Sequence, residues 1–199
     1  MPEATLTNAI TNALHASFLL AYLIGATRAK IPRVVKGLFF LLFILKLMGV
    51  YVHYAPYSPS SARVWAIIAV STVAMNFIVM REARVGWKVC FGVIAICIAA
   101  TGIFLTGVGD FSYIALPTAL VFGVAAYHAH PGSKLRLGLV MVVISNLVWI
   151  AARKIGQGIA GGEVPVDYRY DNDLYHFLLI ASTFVIYQGF LERRRAKTL

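Results

Sequence analysis

A histidine, a lysine and a carboxylate set apart from one another in otherwise apolar sequence are the residues most able to do chemistry in this chain. His53 closes one apolar run, and Lys46, Gly49 and His53 stand at i, i+3 and i+7, on one helical face. Helical rise puts Lys46 about 10 Å deeper than His53. His176 opens the last apolar run, with Asp173 one turn before it and Asn172 at i−4. Asn8, Asn12, His15, Leu19 and Tyr22 line one face of the first run, and Asn146, Trp149 and Arg153 one face of the sixth. A lysine at the depth of His15 must pair with an acid, donate to carbonyls, reach water or lose its proton, and Asp110 and Asp173 are the nearest acids.

The elements that must position these groups are written in the composition. Of 199 residues 60% are hydrophobic and 13% charged, about half the usual share of charge in a soluble domain. The apolar residues come in seven runs, about 9–28, 36–54, 63–80, 86–107, 112–130, 135–154 and 173–191. Each approaches the ~20 residues that cross a hydrocarbon core. The chain is therefore expected to be all-α, one polytopic domain over 1–199 with seven transmembrane helices. Short breakers separate the runs, such as Ala29-Lys30-Ile31-Pro32, Tyr54 to Pro59, Gly107 to Asp110 and Pro131-Gly132-Ser133. Only the connection from Ile155 to Tyr170 is long, and its Gly-Gly and Pro165 predict a loop. No repeat marks an inverted-repeat transporter.

Thirteen of the eighteen Lys and Arg fall at one set of helix ends, in the segments 28–36, 81–88, 134–136 and 193–197; Arg63, Arg153, Lys154 and Arg169 fall at the other, and Lys46 is inside. That asymmetry predicts a cytoplasmic C-terminus and an external N-terminus. It also accounts for the net charge of +10 without a nucleic-acid partner. Six acids (Glu3, Asp110, Glu163, Asp167, Asp171 and Asp173) fall on the external side. Cys90 and Cys97 share one apolar segment and have no metal-binding spacing. The first residues lack the basic stretch of a cleaved signal.

Most intramembrane Ser, Thr and Asn make interhelical hydrogen bonds worth about 0.6 kcal/mol, and Asp171-Asn172-Asp173 also suits a helix start. His128 and His130 end the fifth run as interfacial residues. The remaining polar groups, His15, Lys46, His53, Asp110, Arg153, Asp173 and His176, all belong to the outer half. Such a concentration predicts a polar cavity facing the exterior.

The motifs Gly49-Val50-Tyr51-Val52-His53 and Asn172-Asp173-Leu174-Tyr175-His176, with the second helix ending in the first motif and the seventh starting in the other, resemble the CREST-type seven-helix membrane hydrolases. These include alkaline ceramidases, adiponectin receptors and lysoplasmalogenase-like proteins, and the likeness is to an uncharacterised bacterial branch, which implies the inner (plasma) membrane. The resemblance covers the whole chain in topology and these two motifs in residues. It implies a zinc ion held by one histidine of the second helix and a His-x-x-x-His pair of the seventh, assisted by a serine and by an aspartate of the third helix. His53 and His176 match; Asn172 stands for the earlier histidine of the pair, Gly49 for the serine, and the third helix has no aspartate. A third ligand would be Asp173 or His15.

Three functions follow as expectations. One is a zinc-dependent hydrolase of a lipid amide or ester, with His53, His176 and Asp173 on the metal and Lys46 or His15 stabilising the oxyanion. The second is a non-enzymatic protein that binds a lipid or small anion, or senses a signal, in the outer pocket; Lys46 favours an anion and opposes a metal cation. The third is a transporter or proton relay through His15, Lys46 and His53, which the lack of ionisable groups in the inner half disfavours. Retinal pumps carry a mid-seventh-helix lysine where this chain has Thr183. Both main schemes need the ends of the second and seventh helices to share one chamber.

Overall fold

The computed structural model describes residues 3–55, 58–107, 110–162 and 170–196. They form seven α-helices: α1 Glu3–Arg28, α2 Arg33–Tyr54, α3 Pro59–Glu82, α4 Trp87–Leu105, α5 Ser112–His128, α6 Lys134–Ala160 and α7 Asp171–Arg195. There is no strand among the described residues. All but α5, which has 17 residues, are long and apolar enough to cross a membrane. Local chemistry sets their ends. Pro59 occupies the first turn of α3 behind the Ser58 cap, and the Ser133 hydroxyl accepts from Arg136 N–H at the start of α6. Lys30 and Arg84, at φ 51° and 61°, close α1 and α3 in the same way, with Ile31 N–H on Ala26 C=O and Val85 N–H on Met80 C=O. Both closures place a cation at a helix C-terminus, the favourable end of the dipole.

α6 runs past Lys154 to Ala160 and stops at Gly161, φ 68°. The expected loop from Ile155 thus begins as helix: Gly156 and Gly158 weaken a helix without breaking it. Pro165, Glu163, Asp167 and Arg169 lie outside the described residues.

The helices alternate in direction through short connections, so α1, α3, α5 and α7 begin at one end, here called upper, and α2, α4 and α6 finish there. Side by side they make a closed ring, α1–α2–α3–α5–α6–α7 and back to α1, with α4 packed outside against α3 and α5. Polarity is reversed relative to a soluble protein. Asn8, Asn12, His15, Asn76, Asn146, Ser182 and Thr183 are buried, while Phe91, Ile96, Ile98 and Leu147 are exposed. A hydrocarbon surrounding explains that arrangement, because there the polar groups must find partners inside.

Glycines set the closest approaches. A Cβ at Gly189 would run into the Leu135 backbone, and one at Gly138 would lie 2.6 Å from Ile186 Cγ1. These two positions let α6 and α7 pack backbone to backbone. Tyr22, Phe39, Tyr187 and Phe190 cluster in the lower interior, with ring centres 4.9–6.3 Å apart.

Candidate functional site

α2 and α7 are not backbone neighbours; α1 stands between them in the ring. Their side chains nevertheless meet across the interior, and His176 is the meeting point. Its Nε2 lies 2.8 Å from Asn12 Nδ2 of α1, its Nδ1 3.3 Å from Lys46 Nζ of α2, and its ring centre 6.0 Å from that of His53. Asn12 also donates to Asn8 C=O at 2.9 Å. Both neighbours are donors and a neutral imidazole has one acceptor nitrogen, so His176 accepts from Asn12 or from the Lys46 ammonium, not from both at once. Lower down, His15 Nε2 lies 3.1 Å from Thr183 Oγ1, and His15 Nδ1 is buried with no hydrogen-bond partner among the described residues.

The five first-helix residues singled out by spacing, Asn8, Asn12, His15, Leu19 and Tyr22, are all buried. Asn8, Asn12 and His15 line a cavity of about 670 Å³. This cavity follows the axis of the ring. On α3 it reaches from Ala62 to Glu82, about 30 Å by helical rise. Its upper part carries Lys46, His53, Asn146, Arg153 and His176; its lower part is walled by Leu38, Leu42, Met75, Val79, Leu139 and Phe190.

Within the upper part, six rings form an unbroken circle. His53, Trp65, Phe111, Trp149, Tyr175 and His176 each contact the next, and His176 returns to His53, with centres 5.5–6.1 Å apart. All six line the cavity. The collar draws on α2, α3, the start of α5, α6 and α7, and it is braced by hydrogen bonds. Trp149 Nε1–H donates to Asn172 Oδ1 at 2.9 Å, and Tyr175 O–H to Asn146 Oδ1 at 3.2 Å. Two cations border it: Lys46 Nζ is 6.0 Å from the Tyr175 ring centre, and Arg153 Cζ 5.6 Å from that of Trp149.

The carboxylates do not go where the spacing placed them. Asp173 accepts the hydroxyls of Thr7 at 2.6 Å and Thr11 at 3.0 Å, tying α7 to α1. Asp110 accepts from Ser112 N–H at 2.9 Å and from its hydroxyl, and Asp110 Oδ2 lies 3.5 Å from Arg153 Nε. Burial by itself would raise the Asp110 carboxyl, but Ser112 and the cations Arg153 and Lys154 hold it below its ordinary range. Neither acid forms an ion pair with Lys46, and no other carboxylate does among the described residues.

These arrangements bear on zinc. His53 and His176 are close enough to face one ion, but no group of three His, Cys, Asp or Glu able to hold a metal occurs among the described residues. Asp173 is committed to two threonines, His15 reaches Thr183, and an amine stands 3.3 Å from the imidazole that would ligate. Among the described residues, no third ligand stands beside His53 and His176.

No family model, no curated protein and no solved structure matches the chain.

The site must therefore be read from its own side chains, and its departures from the resembled pattern each have a local use. Asn172 braces Trp149. Gly49 leaves room for Asn12, whose Oδ1 would lie 2.6 Å from a Cβ there. On α3 the collar takes Trp65. Trp65, Phe111 and Tyr175 were not singled out from sequence. Their signal is depth: each stands at the upper end of its helix, level with His53 and His176 once the alternation of direction is applied. His128 and His130 are exposed at the lower end.

Proposed function

We propose that this integral membrane chain binds an amphiphile inside its helical ring, with the anionic head at Lys46 and the apolar tail in the lower cavity. The observation that carries this reading is Lys46 itself, a cation lining a 670 Å³ cavity with no carboxylate counter-ion among the described residues. That volume falls within the ~300–1,000 Å³ of sites that enclose a small ligand. The division between polar top and apolar bottom matches a head and a tail. By the excess of Lys and Arg at the lower end, all seven helices span the membrane with the upper end and the collar facing outside and the C-terminus in the cytoplasm.

The test uses protein in phosphatidylcholine nanodiscs and three sixteen-carbon probes: palmitate, hexadecanol and hexadecyltrimethylammonium. Palmitate is expected to bind tightest and the quaternary ammonium weakest, and EDTA is expected to leave the order unchanged. Equal binding of the cationic probe would end this reading.

Hydrolysis of a lipid amide or ester is the second reading, favoured by the approach of two imidazoles and an amine. Its check is release of palmitate from a palmitoyl amide or ester with and without added zinc. No turnover in either condition removes it.

A further inference from the structure

The collar says more about the head group. Lys46 rises to it from below, seven residues before the collar residue His53 on a helix that climbs to the upper end. Arg153 stands above it, four residues beyond Trp149 on a helix that also climbs, about 6 Å higher by helical rise. Lys46 Nζ lies against the Tyr175 ring and Arg153 Cζ against the Trp149 ring, and the two ring centres are 5.9 Å apart.

Arg153 is also underused. Its side chain is 12% exposed, it lines the cavity, and its Nη1 has no hydrogen-bond partner among the described residues. Its Nε faces Asp110 Oδ2 at 3.5 Å without making a hydrogen bond, whereas the other Asp110 oxygen is held by Ser112. A guanidinium carries five N–H donors in a planar fork suited to two oxygens of one anion. Two buried guanidinium nitrogens, Nε and Nη1, without a hydrogen-bond partner among the described residues and facing a cavity, are an anion contact awaiting its acceptor.

We infer that the ligand is an acyl conjugate whose anionic head spans both cations, with its acyl carbonyl oxygen at Lys46 and its terminal carboxylate or phosphate at Arg153. This inference rests on the proposed function, since it presumes that an amphiphile lies head-up in the cavity. Asp110 is then the placeholder that the ligand's terminal anion displaces from Arg153.

Nanodisc binding of palmitate, 1-monopalmitoylglycerol, N-palmitoylglycine and palmitoyl lysophosphatidate tests it. At least one of the last two is expected to bind tenfold or more tighter than the glycerol ester, and which one does names the terminal anion. Arg153→Gln is expected to abolish that advantage, and Asp110→Asn, which frees the guanidinium, to enlarge it severalfold. If Arg153→Gln does not fold, Asp110→Asn carries the test alone. No advantage for either anionic conjugate, or an advantage that neither variant changes, overturns the inference. The proposed function would still stand if Lys46→Met weakens palmitate binding, and would fall with it if palmitate binding ignores Lys46→Met.

Discussion

Gly49 and Asn12 lie so close that a methyl group at Gly49 would have to push the amide aside. Gly49→Ala is therefore expected to displace Asn12 from His176 and to cost about 1–3 kcal/mol, as overpacking does, read as a lowered melting temperature in nanodiscs. Asp173 makes a second prediction. Held by two threonine hydroxyls that tie α7 to α1, it supports packing in this account. Asp173→Asn is expected to cost about 1–3 kcal/mol of stability and to leave palmitate affinity of the folded protein within about twofold. A metal ligand would behave in the opposite way. At this scale the sequence was legible wherever the partner lay on the same helix. The face from Asn8 to Tyr22 follows from helical period alone. The partner of Asp173 does not: spacing tells which way a carboxylate points along its own helix, not which neighbour stands there.

Between elements, the contact that decides the geometry is α6 against α7. Leu135 backbone sits where a Gly189 side chain would be, and Ser182 and Ile186 crowd Gly138. Gly189→Ala is expected to force the pair apart at a cost of about 1–3 kcal/mol, and to loosen the braces Trp149–Asn172 and Tyr175–Asn146, which join the same two helices. Palmitate affinity should fall together with melting temperature in this variant, unlike in Asp173→Asn. Six of the seven helices are apolar runs of membrane length, readable by eye. Their order around the ring is only half readable. Short connections make consecutive helices neighbours, but the closure of α7 onto α1 and the position of α4 outside the ring come from packing. α4 gave one sign of its place: apart from Lys88, Thr101 and two cysteines it has no polar side chain to turn inward.

Seen as a whole, the molecule is a ring of helices with its polar groups inside, most of its basic residues at the lower end and the Asp110–Arg153 contact at the upper end of its cavity. The contact gives that end a defined acid response. Because the Asp110 carboxyl is held below its ordinary value of 3.8, the stabilisation it gives is complete above that pH and is lost as pH falls through the depressed value. The melting-temperature difference between wild type and Asp110→Asn should stay constant from pH 8 to pH 5 and close only on acidification below 3.8. Net charge and hydropathy foretold the membrane and the buried cation. They could not foretell the collar, because it is made by six residues from five segments that share nothing but height.

The central claim is that Lys46 holds an anion within this ring. Titration of palmitate into nanodisc-embedded wild type, Lys46→Met and Lys46→Arg tests it most directly. Loss of tenfold or more in affinity with methionine, largely restored by arginine, is the expected result. Unchanged affinity in Lys46→Met, with the variant folded, would contradict the account.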